Sequence, residues 1–293
     1  MSFAVRDYIL LTKPRIVLLV VITALAGLVA EGSLLHDPVR FCLVLGAITL
    51  TAGSANAFNQ YFERDLDALM DRTRAKRPLP LQRVPPTAAL VFAIAVGTIS
   101  VAALYLVANA LSAWLALGTI VFYGFFYTLW LKPRTVQNIV IGGAAGAMGP
   151  VIAWAAASGG LALPPLLMFL IIFLWTPPHF WALALCVQDD YRKTGIPMMP
   201  TVKGEDETYR QIERYTIATV ALTLVMPFVN AGGAVFGVLA AVLGGIFLWK
   251  AVRARRDRTT RSAWGMFGYS IVYLFALFIG IIADAVWRIP IHA

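Results

Sequence analysis

Residues 13–30 read Lys13-Pro-Arg-Ile-Val-Leu-Leu-Val-Val-Ile-Thr-Ala-Leu-Ala-Gly-Leu-Val-Ala30, and from Ile16 to Ala30 no charged side chain interrupts the run. Carried on to about residue 34, a helix of that length crosses a hydrocarbon core of ~30 Å. The run lacks the short apolar core and small-residue cleavage pattern of a secretory signal. Similar runs recur along the whole chain, and spans are expected at 16–34, 40–60, 87–107, 111–130, 137–157, 164–186, 214–231, 233–250 and 266–287. The expected fold is all-α: nine transmembrane helices in one integral-membrane domain covering residues 1–293.

Composition agrees. Of 293 residues, 60% are hydrophobic and 13% charged, which excludes an ordinary soluble domain. A net charge of +9 would suit a polyanion. The basic residues, however, lie in short loops between apolar runs, so the expected partner is the lipid bilayer and not nucleic acid. Cys42 and Cys186 sit inside apolar runs without CxxC spacing and read as packing residues.

Among the 24 Lys and Arg residues, all but Arg40 and Arg288 fall on one set of alternate loops. The positive-inside rule therefore predicts a cytoplasmic N-terminus, an outside C-terminus and cytoplasmic long loops. Two of those inner loops, 62–86 and 187–213, hold most of the acidic residues. They follow the second and sixth spans, a spacing that suggests duplication of a four-helix unit, spans 1–4 and 5–8.

In the first loop, Asn59, Glu63, Asp67 and Asp71 are spaced by four and share one ridge if the segment is helical, with Asp65 to one side. Like charges at that spacing repel unless a cation joins them. Mg2+ suits such oxygen donors and commonly bridges carboxylates to a diphosphate. Arg64 lies within the ridge; Arg72, Arg74, Lys76 and Arg77 follow it, and guanidinium groups match phosphate oxygens. The competing reading is a solvated turn whose acids and bases pair with each other. Asn59, polar at the end of an apolar run, argues against that.

The second loop is entered through Trp175-Thr-Pro-Pro-His-Phe-Trp181, where Pro177 and Pro178 are expected to break or kink a helix at membrane depth. His179 follows as either a satisfied core histidine or a ligand. Asp189 and Asp190 are candidates for a second magnesium site, with Arg192, Lys193 and Lys203 for phosphate. The alternative is a turn shaped by Gly195, Pro197 and Pro200. Between the loops, Lys132, Arg134 and Asn138 are within reach of the same rim, and the glycines from Gly142 to Gly149 permit close helix packing or room for a bulky ligand.

The Asn59 to Asp71 ridge resembles the first aspartate-rich motif of the UbiA superfamily of intramembrane aromatic prenyltransferases. More narrowly, Glu63-Arg-Asp-Leu-Asp-Ala-Leu-Met-Asp-Arg-Thr73 with Arg77-Pro78, the Pro177-Pro-His-Phe-Trp-Ala182 stretch, Asp190-Tyr-Arg-Lys-Thr-Gly-Ile-Pro-Met-Met-Pro200 and the Thr135, Asn138, Gly142-Gly143 segment are similar to the haem-farnesylating branch. The likeness runs in order over nearly the whole chain. Where the wider superfamily has an Asp directly after the motif's Asn and another further along, this chain has Gln60 and Glu63; Thr194 stands where the second motif repeats its Asp.

The resemblance implies transfer of a farnesyl chain from farnesyl diphosphate to a vinyl group of haem B at a bacterial inner membrane. It assigns catalytic roles to Asn59, Glu63, Asp67, Asp71 and Asp190. Magnesium would sit on Asn59, Glu63, Asp67, Asp189 and Asp190, diphosphate on Arg64, Arg72, Arg77, Lys132, Arg192 and Lys193, and haem against His179. Haem A synthase and terminal-oxidase assembly proteins are candidate protein partners. A quinone-precursor prenyltransferase is the alternative among enzymes. A transporter is the alternative from another class, disfavoured because the acids cluster at one rim and not near the bilayer centre.

Overall fold

The computed structural model describes residues 5–229 and 231–287; Arg288, expected on the outer side, lies outside the described residues. Among the described residues no strand forms, and nine helical segments are long and apolar enough to cross a membrane. In chain order the helices are α1 (Val5–Leu11), α2 (Pro14–Glu31), α3 (Pro38–Phe62), α4 (Arg64–Leu69), α5 (Asp71–Arg74), α6 (Pro86–Val107) and α7 (Ala110–Val121), which continues as a π-helical stretch, Phe122–Leu131. Then come α8 (Asn138–Ala147), α9 (Gly149–Ser158), α10 (Leu163–Cys186), α11 (Gln188–Thr194), α12 (Met199–Val225), α13 (Ala234–Asp257) and α14 (Thr260–Trp287).

The spans start and stop on local chemistry. Prolines occupy the first turn of α2, α3, α6, α10 and α12, where a missing N–H costs nothing. Asp37 caps α3 by accepting from the Arg40 amide at 3.0 Å, and Asn109 caps α7 by accepting from Ser112 at 2.9 Å. Asp284, a buried acid in α14, accepts from the amides of Gly233, Val235 and Phe236 at 2.8–2.9 Å. It thereby caps the start of α13 from another helix and needs no metal or substrate to account for it.

Three expectations change. Helix α12 begins at Met199 and α14 at Thr260, earlier than the expected 214 and 266, and α13 runs to Asp257 instead of 250. Apolarity marks only the hydrocarbon-embedded part of a helix, whereas backbone bonding continues into water. Much of the expected loop 187–213 is therefore helical, interrupted at Gly204, whose φ of 81° suits glycine. Finally, α10 passes through Pro177-Pro178 without ending.

Helix α3 packs along α6; α10 lies against α8, α12 and α14; and α2 touches α9 and α14. Close approach depends on small residues. A β-carbon at Gly27 would stand 2.8 Å from the Pro150 carbonyl, so α2 and α9 meet backbone to backbone. A side chain at Gly142 would run into the Tyr127 ring, so this part of the glycine run serves packing.

Candidate active site

The end of α3 and the short α4 that follows it bring together Asn59, Glu63 and Asp67, all at most 5% exposed. Helix α3 stops at Phe62, yet the Glu63 amide still donates to Asn59 O (3.0 Å) and the Asp67 amide to Glu63 O (2.8 Å). Helical spacing thus survives the break, and three of the four expected positions stay on one ridge. The fourth leaves it. Met70 is extended (ψ 126°), and the Asp71 and Arg72 amides donate instead to the two carboxylate oxygens of Asp190, at 3.0 and 3.1 Å. Asp190 therefore caps α5 and ties the second loop to the first.

Three cations from distant parts of the chain surround the ridge. Lys132 Nζ donates to Glu63 at 2.5 Å, Arg77 bridges Glu63 (4.0 Å) and Asp67, and Lys13 Nζ donates to Asn59 Oδ1 at 2.5 Å. The Asn59 amide donates in turn to Thr128 Oγ1 (3.1 Å), whose hydroxyl donates to Tyr123 O (2.7 Å). The π-helical stretch delivers these partners. Its wider winding lets the Lys132 amide reach Tyr127 O, five residues back, at 2.8 Å, and stacks Tyr123 on Tyr127 with centroids 5.1 Å apart.

The electrostatics follow from burial and this surplus of positive charge. Burial pushes the Glu63 carboxyl up, but Lys132, Lys13 and Arg77 together outweigh it and hold the group below the usual glutamate value. Asp67 goes the other way. Burial raises it, and the Arg77 guanidinium only partly opposes the rise. Burial, reinforced by repulsion from Arg77, brings Lys13 well below an ordinary lysine.

The remaining predicted residues lie elsewhere. Asp71 is exposed and paired with Lys193 (2.5 Å) and Arg74 (3.4 Å). Asp189, 87% exposed at its side chain, pairs with Arg192 at 3.2 Å, so neither joins the buried acids. Arg64 donates to Tyr61 O at 2.9 Å and lies over the Tyr61 ring. The Arg72 Nε is buried without a partner among the described residues. Asn138 donates to Thr135 O (2.6 Å) and Pro197 O (3.0 Å), joining α8 to the second loop.

His179 is buried between α10 and α14, stacked on Trp175 (4.3 Å) and Phe267 (4.6 Å). Its Nδ1 lies 2.7 Å from Ser270 Oγ, and the Ser270 hydroxyl donates to Phe267 O at 2.6 Å. A serine has one proton to give, so Nδ1 must be the donor and Nε2 keeps its lone pair.

Sequence reasoning did not single out Lys13, Thr128 or the paired tyrosines for the site. Lys13 has a signal, a lysine at the edge of an apolar run, but in sequence that signal reports topology alone. The π-helical winding has no comparable signature.

Among the described residues no three His, Cys, Asp or Glu side chains converge on one point. The donor set nevertheless fits magnesium. Mg2+ commonly takes one or two carboxylates and leaves its other positions to water and phosphate. Asn59, Glu63 and Asp67 are buried hard-oxygen donors, and each faces a cationic nitrogen.

The model of the UbiA prenyltransferase family matches residues 20–281. Proteins named protoheme IX farnesyltransferase are similar over nearly the whole chain. The one from Erythrobacter litoralis is 47% identical, covering 95% of this chain and 92% of its own; that of Afipia carboxidovorans is 49% identical, covering 94% and 88%. Among solved structures, a digeranylgeranylglyceryl phosphate synthase superposes with a TM-score of 0.78 at 15% identity, covering 96% of this chain and 98% of that one. A UbiA homologue from Aeropyrum pernix K1 gives 0.72 at 20%, covering 94% and 98%. One from Archaeoglobus fulgidus, bound to DMAPP and Mg2+, gives 0.65 at 15%, covering 94% and 99%.

Proposed function

The chain belongs to the UbiA prenyltransferase family, and from that premise we propose that this membrane-embedded prenyltransferase moves a farnesyl group from farnesyl diphosphate to haem B. The observation that carries the reading is the buried ridge of Asn59, Glu63 and Asp67 ringed by Lys13, Arg77 and Lys132. An excess of partly buried cations over buried acids suits a multiply charged anion. The names of its relatives supply the acceptor: they are protoheme IX farnesyltransferases.

Asn59, Glu63 and Asp67 would hold magnesium, which when bound supplies positive charge shared between the carboxylates and the diphosphate. The work of this chain's side chains follows from their charge. Arg77 and Lys132 exchange carboxylate oxygens, and Lys13 the Asn59 amide oxygen, for phosphate oxygens, and all three stabilise the charge that gathers on the leaving diphosphate as its C1–O bond breaks. Among apolar helices, the allylic cation is shielded from early capture by water. A haem vinyl carbon bonds to C1, and water adds to the resulting cation with loss of a proton, giving the hydroxyethylfarnesyl group of haem O. His179 is the candidate haem contact, as an axial ligand or near the propionates. The positive-inside bias of the loops supports a site on the cytoplasmic side of a bacterial inner membrane.

The test uses purified protein in detergent with haem B, farnesyl diphosphate and magnesium. Mass spectrometry should find haem heavier by one farnesyl chain plus water, and chelation should abolish the product. Unchanged haem alongside prenylated 4-hydroxybenzoate would keep the family and remove the haem assignment.

A further inference from the structure

Beside Asn59 stands Gln60, 1% exposed and outside the ring of charges. Its Nε2 donates to two carbonyls, Leu10 O and Leu11 O, both at 2.9 Å. These belong to the last turn of α1, where carbonyls lack helical partners. Two residues later comes Lys13, at φ 53°, a left-handed conformation uncommon for a side-chain-bearing residue; its amide donates to the same Leu10 O at 3.2 Å. Pro14 then starts α2. The Lys13 ammonium reaches back to Asn59, the neighbour of Gln60.

We propose that Gln60 is a positioning residue, pinning the end of α1 to α3 so that Lys13 is aimed into the acid cluster to receive the diphosphate. The proposal rests on the prenyl-diphosphate reading of that cluster. A lysine stem is long and flexible, so its aim depends on where its backbone is anchored. Helix α1 has seven residues and cannot hold itself. Beyond Gln60 it is tied by the Asp7–Arg83 pair at 3.7 Å and by Tyr8 against Phe92, ring centroids 5.3 Å apart.

Only a donor fits between the two carbonyls. Turning the amide over would set Oε1 against both of them, whereas in the observed orientation Oε1 has no partner among the described residues. An ionised aspartate at this position would be acceptor-only and could not make these bonds. Gln60 thus serves as a device for placing a cation.

The test measures binding of inorganic pyrophosphate with magnesium to the purified full-length protein by calorimetry, together with hydrogen exchange over residues 8–13. Gln60→Met, similar in size but without donors, should bind about tenfold more weakly and exchange faster at the end of α1. In a Lys13→Met background the same change should add no further loss, because the two residues act as one unit. Gln60→Asn keeps the donor on a shorter stem and should give an intermediate loss that also vanishes in that background; it serves if Gln60→Met does not fold. Wild-type affinity in Gln60→Met, or a loss that persists undiminished without Lys13, would overturn the proposal alone. A wild-type protein that binds no pyrophosphate would overturn the diphosphate reading as well.

Discussion

The two acid-bearing loops look alike in sequence, each a cluster of Asp or Glu followed by Arg and Lys at the end of a span, yet they do different work. In the first, Glu63 and Asp67 are buried and face Lys132 and Arg77. In the second, Asp189 is exposed beside Arg192, and Asp190 spends both oxygens on the Asp71 and Arg72 amides. One loop gathers charge into a dry site; the other braces it. An acidic–basic run announces neither role, because the role depends on whether the carboxylate loses water and on what replaces it.

The sharpest way to break this contrast is at the buried ridge. Asp67→Ala should lower kcat/KM for farnesyl transfer on the order of a thousandfold, with the protein still inserted and monodisperse in detergent; equal loss of folded protein would remove the catalytic role.

Next is pH. Asp67 is raised by burial, so binding of pyrophosphate with magnesium, complete above its pKa, should fade as pH falls through a value higher than that of an ordinary aspartate. Beyond that limb the loss should approach about tenfold per pH unit. Arg77→Met removes the strongest pull on Asp67 and should move the limb to higher pH. A limb unmoved by that change would mean that Asp67 does not set it.

Asp190→Ala should cost less, about tenfold in kcat/KM, with faster hydrogen exchange at the freed Asp71 and Arg72 amides. A loss as large as that of Asp67→Ala with exchange unchanged would place Asp190 in the chemistry instead. Asp189→Ala should be smallest, within about twofold, as expected for an exposed ion pair. A large effect there would erase the distinction between the loops.

Much of this was legible residue by residue. The Asn59, Glu63, Asp67 spacing identifies the ridge, and Lys132 and Arg77 are legible as candidate diphosphate ligands but not as the partners of its acids. Asp71 was placed on the ridge because regular spacing assumes a continuous helix; the extended Met70 and the competing acceptor Asp190 end that helix. Lys13 was passed over because a lysine at the head of a span ordinarily reports orientation. Gln60 was noticed only as a departure from a motif, since its partners lie 49 and 50 residues away in the chain.

The sequence by itself determined the all-α membrane class, the approximate placement of nine spans and the residue types available at one rim. Those depend on the length and apolarity of contiguous segments, and such properties are local. Only the tertiary structure decided which carboxylates lose water and which cations meet them. Lys13 and Asn59 are 46 residues apart, Lys132 and Glu63 69, and such pairs are set by how α2, α3 and the π-helical stretch pack, which no local pattern records.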